Sequence, residues 1–502
     1  MSEAPIGRPV ARRPVGANIT AVGVAIAIAF GVLAGGAGWW QVVEAGRLTT
    51  APDNPLVIAT ARTALRGQIV DRAGVALASN ERDANGEVFR VYADQAVSHV
   101  VGYASLLFGT AGLERTYAAD LVGLRRDPVA DLLRKFDPTP ADPQDLALTL
   151  SLDLQRAALA GLGADRGAVV MLDPRTGAVL ALASTPVYDA GGIANPATSR
   201  ATWAALNADP GQPLLPRATL GRYVPGSVFK IVTAIAGLGS DAFAPDTIFP
   251  EQEAGERDGL VVSGFRIREH AGVPVRPYDL ADATEVSSNI YYALAALAVG
   301  GDELADWAGR LGFGAALPFD LPTAVSQVTN GGGDFGGGFK DAVELANAGY
   351  GQAETFVTPL QMALVAATVA NDGVLMRPHV VASFSSAEGG VRIVRPEEVR
   401  RVIDADDAAA IVAAMRQAVE GTLGRQFTGG AAIEGIPTAG KSGTAELGGT
   451  GEPHSWFIGF APADDPQIAI AVLVEQGGRG GARAAPLAGA LMRAYLVDGV
   501  GR

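Results

Sequence analysis

Tyr223-Val224-Pro225-Gly226-Ser227-Val228-Phe229-Lys230 leads from a turn into a helix whose character decides the fold. Pro225-Gly226 suits the turn that opens a helix, and Val228, Phe229, Ile231, Val232, Ala234, Ile235 and Leu238 leave it no polar face. Such a helix is centrally buried, so a substantial domain must enclose it. The spacing of Ser227 and Lys230 predicts that both side chains lie on one helical face within mutual reach.

Lys230 is one of four lysines, and the other 35 of the 39 basic residues are arginine. Arginine cannot release a proton near neutral pH, so a chain that uses lysine this sparingly points to lysine chemistry. Lys441 lies in Lys441-Ser442-Gly443-Thr444, and Ser287-Ser288-Asn289 falls between the two lysine motifs. Lys135 and Lys340 belong to no motif and read as surface charges. Serine is a weak nucleophile at its own pKa, and a neutral lysine amine beside it can serve as its base. Bringing a lysine from about 10.4 toward about 7 to 8 by burial and a neighbouring cation takes roughly 3 to 5 kcal/mol.

The three motifs, in this order and at these separations, resemble the penicillin-recognising serine acyltransferases, the superfamily of penicillin-binding proteins and serine β-lactamases. Gly167 to Ser184 (GAVVMLDPRTGAVLALAS), Thr358-Pro359-Leu360-Gln361-Met362-Ala363 and His454-Ser455-Trp456-Phe457-Ile458-Gly459-Phe460-Ala461-Pro462 carry the same resemblance, as does Ala445-Glu446 after Thr444. Together these segments span most of the chain after Leu148. The resemblance implies an α/β transpeptidase domain with a five-stranded antiparallel sheet flanked by helices, plus an all-helical lobe from the middle of the chain. It implies Ser227 as nucleophile, Lys230 as base, and Lys441 across the cleft raising the potential at Lys230 and Ser287 and attracting a substrate carboxylate. By the same resemblance Ser287 relays a proton to the leaving amine and Asn289 holds the acyl-side peptide backbone, although serines and asparagines also cap helices. Ser442, Gly443 and Thr444 form the substrate-binding strand: the Ser442 and Thr444 hydroxyls face the substrate carboxylate, and the backbone N–H groups of Ser227 and Thr444 make an oxyanion hole. His454 and Trp456 fit either a cleft wall or the core.

Local patterning agrees with that fold. Ala168 to Leu172 and Ala178 to Ala183 are strand-like runs around the turn Asp173-Pro174-Arg175-Thr176-Gly177. Thr438 to Glu446, Trp456 to Ala461 and Gln467 to Glu475 read as three more strands, and Leu487 to Leu496 as an amphipathic helix. Gly331 to Gly338, broken only by Asp334 and Phe335, reads as a flexible loop, either linker or lid.

At 502 residues and 48% hydrophobic, the chain has length for two or three domains. A net charge of -14 argues against a nucleic-acid partner. The chain has no cysteine, and His99, His270, His379 and His454 lack ligand spacing, so neither a metal nor a cofactor is expected. From Ile19 through Trp40 no residue is charged, which is enough for a helix to cross a bilayer core. Arg8, Arg12 and Arg13 precede it and Trp39 and Trp40 close it, so the positive-inside rule puts the tail in the cytoplasm and everything after about Val43 outside. A cleaved signal peptide is the alternative, since Ala34-Gly35-Gly36-Ala37 offers small residues, but the apolar run is longer than a usual signal core.

The expected division is a cytoplasmic tail (1–18), a transmembrane signal-anchor (19–43), a small mixed pedestal (44–147) and the transpeptidase domain (148–502). In the pedestal, Arg66-Gly67-Gln68-Ile69-Val70-Asp71-Arg72-Ala73-Gly74 and Gly112-Leu113-Glu114-Arg115-Thr116-Tyr117 resemble N-terminal motifs of the class B, monofunctional penicillin-binding proteins. No stretch of glycosyltransferase length precedes the catalytic region, so the bifunctional architecture is not expected. Class A β-lactamases place a deacylating glutamate four residues before an asparagine, whereas Glu344 and Asn347 are three apart in a segment that reads as helix. The resemblance therefore implies a D-alanyl-D-alanine transpeptidase that crosslinks peptidoglycan stem peptides on lipid II-derived glycan and is acylated by β-lactams. Its implied partners are the membrane and a SEDS-type glycan polymerase. A D,D-carboxypeptidase, a β-lactamase and a membrane-anchored β-lactam sensor or scaffold are the alternatives.

Overall fold

Ile19–Gln41 is the apolar stretch of a helix, α1 (Val15–Gly38), that runs on through a wider helical turn, Trp39–Val43. Its 23 residues are long enough to cross a bilayer, and apolar side chains such as Phe30, Val32 and Leu33 are exposed along it. The computed structural model describes residues 15–44, 65–82, 88–123, 142–387, 390–448 and 451–502, so Arg8, Arg12, Arg13 and Lys135 lie outside the described residues. The chain divides into two units, Met1–Thr63 and Ala64–Arg502.

The second unit opens with strands β1 (Ile69–Val70), β2 (Ala76–Arg82), β3 (Val88–Tyr92) and β4 (Gln144–Leu148). The turn after β1 is held by Asp71, whose carboxylate accepts the N–H groups of Ala73 at 2.9 Å and Val75 at 2.8 Å. The same carboxylate reaches Leu152 N at 3.1 Å, in the first turn of α2 (Leu152–Leu162), where Ser151 is the N-cap. Glu114 is fully buried between two guanidinium groups, Arg66 at 2.7 Å and Arg90 at 2.5 Å. The two pedestal motifs of the sequence are thus joined by an internal ion triad.

Strands β5 (Gly167–Leu172) and β6 (Val179–Thr185) form the expected hairpin. The helical lobe follows, with α3 (Lys230–Gly239), α4 (Gln252–Asp258), α5 (Leu280–Val286), α6 (Asn289–Val299) and α7 (Ala342–Ala348). Every residue of α8 (Pro359–Ala370) is buried, and Thr358 caps it with Pro359 in its first turn. Strands β7 (Val381–Ser386) and β8 (Val391–Ile393) return to the pedestal, giving a mixed six-stranded sheet of order β8-β7-β4-β1-β2-β3. Helix α9 (Ala405–Glu420) precedes β9 (Ala439–Ala445), β10 (His454–Ala461) and β11 (Ile468–Val474), and α10 (Ala484–Leu496) follows them.

The central sheet has the order β9-β10-β11-β5-β6, and every pairing in it is antiparallel. Strands β5, β6, β10 and β11 are mostly apolar because both faces are covered, whereas β9 carries Lys441, Ser442 and Thr444. Ala168, Val170, Ile458 and Leu473 pack on the side of α8, while Val169, Met171, Phe457 and Val472 pack on the side of α2 and α10. The edge strand β9 faces the helical lobe, and this places the lysine motifs together. The glycine-rich segment 331–338 is a loop, as read from the sequence, and its backbone is tied at three points. Gly333 N bonds Gly338 O at 3.0 Å, Phe335 N bonds Phe339 O at 2.9 Å and Gly337 N bonds Asp302 Oδ1 at 2.5 Å, so its glycines serve tight turns.

Candidate active site

Ser227 does not lie on the α-helix with Lys230, as its spacing suggested, but in a 3₁₀ turn, Gly226–Phe229, that feeds α3. Residues three apart eclipse one another in such a turn, so the shared face is kept. Gly226 has φ +56° and a Cβ there would come within 2.7 Å of Thr444 O, so this glycine is required by conformation and by space. Gly443 on β9 is tied to the same turn: a Cβ on it would meet Pro225 O at 2.9 Å and Val228 Cγ1 at 3.1 Å. Backbone contact this close sets Ser227 beside Thr444 at the open edge of β9. Trp456, fully buried, donates its indole N–H to Val224 O at 3.0 Å and holds the turn from behind, which places it in the core. The half-buried His454 packs edge-on against the Tyr223 ring.

Ser227 is half-exposed, and its hydroxyl has no hydrogen-bond partner among the described residues. Lys230 is fully buried, and its Nζ lies 2.6 Å from Ser287 O, 2.9 Å from Asn289 Oδ1 and 3.2 Å from Ser287 Oγ. Lys441, equally buried, donates from Nζ to Ser287 Oγ at 2.9 Å and Ser442 O at 3.0 Å. Ser287 ends α5 at φ +61°, a left-handed conformation uncommon for a residue with a Cβ, and this bend aims its hydroxyl between the two amines.

Burial brings Lys230 from its usual 10.5 down to about 7, against the opposing pull of Glu269 and Glu256. Burial, and then the adjacent Lys230, push Lys441 well below its usual value. A neutral Lys230 has two N–H groups for Ser287 O and Asn289 Oδ1 and a lone pair left over, which is what a base beside Ser227 needs. Ser287 Oγ accepts from Lys441 at 2.9 Å and lies 3.2 Å from Lys230 Nζ, so one hydroxyl links the two amines.

The remaining predicted residues fall close by. Asn289 opens α6 and stays half-exposed. Ser442 Oγ already bonds Phe427 O at 3.0 Å and Thr428 Oγ1 at 2.9 Å, and Thr444 Oγ1 accepts Gly480 N at 3.2 Å. Glu344 is engaged elsewhere, with one carboxylate oxygen on Lys340 N and the other on the Thr329 hydroxyl, both at 2.7 Å. Sequence reasoning missed Glu256 and Glu269, which stand directly behind Ser288 and Asn289. Glu269 accepts the N–H groups of Asn289 at 3.0 Å and Ile290 at 2.7 Å, and the Ser288 hydroxyl lies 2.7 Å from Glu269 and 3.0 Å from Glu256.

The penicillin binding protein transpeptidase domain family matches residues 167–493, and the penicillin binding protein A dimerisation domain family matches residues 66–135. The chain is 34% identical over 504 residues to the peptidoglycan D,D-transpeptidase PbpA of Mycolicibacterium smegmatis, across 96% of this chain and 99% of that protein. It is 29% identical to the peptidoglycan D,D-transpeptidase MrdA of Escherichia coli, across 80% of this chain and 69% of the other. Among solved structures, penicillin-binding protein A of M. tuberculosis as a ceftriaxone acyl-enzyme superposes with a TM-score of 0.77 at 30% identity, covering 88% of this chain and all of that one. Pseudomonas aeruginosa PBP2 superposes with a TM-score of 0.73 at 28% identity, covering 88% and 97%.

Proposed function

From the premise that the chain belongs to the class B penicillin-binding proteins, we infer that it is a peptidoglycan D,D-transpeptidase that works through a serine acyl-enzyme and is acylated by β-lactams. The observation that carries the reading is the convergence of two buried lysine amines on Ser287 Oγ beside the half-exposed Ser227. In the reaction, Ser227 Oγ attacks the carbonyl carbon of the penultimate D-alanine of a stem peptide, and neutral Lys230 takes the hydroxyl proton. The backbone N–H groups of Ser227 and Thr444 stabilise the oxyanion. The proton passes by way of Ser287 to the leaving nitrogen, terminal D-alanine departs, and an amine of a second stem peptide resolves the ester. Asn289 holds the acyl-side backbone, and Ser442 and Thr444 receive the terminal carboxylate.

Lys441 has a narrower role than attracting that carboxylate directly, because its amine is fully enclosed and bonded to Ser287 Oγ and Ser442 O. It acts through Ser287 and through the positive field it adds when protonated.

Residues 19–43 serve as a single transmembrane anchor with residues 1–18 in the cytoplasm, and 44–147 form an extracytoplasmic pedestal that docks a SEDS-type glycan polymerase to the transpeptidase domain, 148–502. The apolar helix and the match to a dimerisation domain support this reading. Labelling with a fluorescent penicillin tests the catalytic part: wild type labels covalently and Ser227→Ala does not, and labelling that survives the substitution refutes Ser227 as nucleophile.

A further inference from the structure

Behind the Ser288–Asn289 turn, two carboxyl groups meet one hydroxyl. Ser288 Oγ lies 3.0 Å from Glu256 Oε1 and 2.7 Å from Glu269 Oε1, and it already accepts Tyr291 N at 3.0 Å. A serine hydroxyl has one hydrogen, so it can satisfy one carboxylate and not two. With both groups ionised, one oxygen would press on a serine lone pair and two negative charges would share a largely buried site. A single proton between the carboxyls removes both conflicts.

The surroundings decide where that proton resides. Glu269 accepts two backbone N–H groups at the start of α6, so both its oxygens are already engaged as acceptors. Glu256 is only 8% exposed, and its Oε2 is buried without a hydrogen-bond partner. Burial, and then the charge of Glu269, raise Glu256 to about 7. Around the pair stand Lys230 from α3, His270 and Tyr278 from the segment between α4 and α5, and Tyr350 after α7, while Lys441 contacts Ser287. His270 is held below its usual value by burial and by Lys230, with its Nε2 on Val286 O at 2.9 Å. On α4 itself, Glu253 and Arg257 pair with each other at the surface.

We propose that Glu256 and Glu269 share one proton behind Ser288 and act as positioning residues for acylation, holding the N-terminus of α6 and setting the charge state of Lys230. While Glu256 is protonated, Lys230 faces one negative charge. When Glu256 ionises, a second charge favours the ammonium form of Lys230 and withdraws the base from Ser227. The inference rests on Lys230 acting as that base.

The test is the pH dependence of acylation of the full-length chain in detergent by a fluorescent penicillin. Glu256→Gln should give a one-proton rise at lower pH than wild type, so that near about pH 7 it is faster by up to about twofold, with both proteins reaching the same alkaline plateau. Superimposed profiles, or a lowered plateau at an unchanged midpoint, overturn the proposal, the latter by exposing a merely structural role. Infrared spectroscopy gives a readout independent of that variant: wild type should lose a protonated-carboxyl band as pH rises through neutrality, and Glu269→Gln should lose it at lower pH. A band that does not move between the two overturns the proposal. Absence of labelling in wild type would instead overturn the serine-acylation reading beneath it.

Discussion

Replacing Lys230 by Met should make the protein inactive and change how its stability depends on pH. Lys230 is completely buried and its folded-state pKa lies at about 7, below the usual 10.5. Between those values the unfolded chain binds a proton that the native chain does not, so raising the pH stabilises the native state. The full difference corresponds to about 5 kcal/mol, a cost that is complete below the folded value and disappears above the unfolded one. Between about pH 7.5 and about pH 9.5, this one group should add about 2.5 kcal/mol to wild-type stability. A methionine of similar length lacks the titration, so the difference between wild-type and Lys230→Met unfolding free energies, measured by denaturant titration at several pH values, cancels every group that Lys230 does not shift and leaves its own titration with those of Lys441, His270 and Glu256 beside it. The variant should be the more stable protein at the lower pH, with its advantage shrinking as pH rises. The three hydrogen bonds of Nζ reduce that advantage without altering its slope. Parallel stability curves would refute the idea that Lys230 is held neutral by burial.

Gly443→Ala should fold with a loss of about 1 to 3 kcal/mol and acylate at least about tenfold more slowly, because the added methyl meets Pro225 O at 2.9 Å and displaces the Gly226–Phe229 turn; an unchanged acylation rate would count against that coupling. Glu114→Gln should cost about 3 to 5 kcal/mol by leaving Arg66 and Arg90 buried without their counter-charge, which thermal unfolding would detect. Despite the upward push of burial, Arg66 and then Arg90 hold the Glu114 carboxyl below its usual 4.5, so its stabilisation is present above that value and is lost as pH falls through the folded one; the variant should lack this acid-side loss. A chain beginning at Leu148 should unfold at lower temperature than residues 65–502, since it lacks Asp71, which holds Leu152 N at 3.1 Å, and most of β4, the neighbour of β7.

Four of the five strands of the central sheet were legible because each is a short, mostly apolar run bounded by turn residues, and β9 was read from Thr438 to Glu446 although it carries Lys441, Ser442 and Thr444. Burial on both faces suppresses the alternation that would make such runs ambiguous with surface strands, and their observed ends agree with the predicted ones to within about two residues. The three-residue spacing of Ser227 and Lys230 predicted a shared face but could not distinguish 3₁₀ from α geometry, since both bring such positions together. The left-handed Ser287 was hidden for a related reason: serine has no special tolerance for that conformation, and only the fold around it holds it there. Glu256 and Glu269 carried no signal, as each lies in a polar stretch and reaches Ser288 only because the segment between α4 and α5 folds back onto α6. Gly331–Gly338 was legible as a loop, but the turns that need positive φ at Gly331, Gly336, Gly337 and Gly338 were not, because glycine composition alone does not place them.

The pedestal shows most clearly what a linear division of the chain misses. β4 crosses the boundary drawn between residues 147 and 148, pairing in parallel with β1 on one side and antiparallel with β7 on the other. Tyr117 donates to Asp320 Oδ1 at 2.5 Å, and Asp320 Oδ2 accepts Val380 N at 2.6 Å and Val381 N at 3.1 Å, so a pedestal side chain, the helical lobe and the start of β7 share one carboxylate. Asp71 fastens the turn after β1 to the first turn of α2, which packs under β6. Among the described residues, the pedestal is therefore joined to the transpeptidase region by hydrogen-bonded backbone and side chains at several points. The polymerase docking proposed for the pedestal would, through this continuity, bear on the orientation of the cleft.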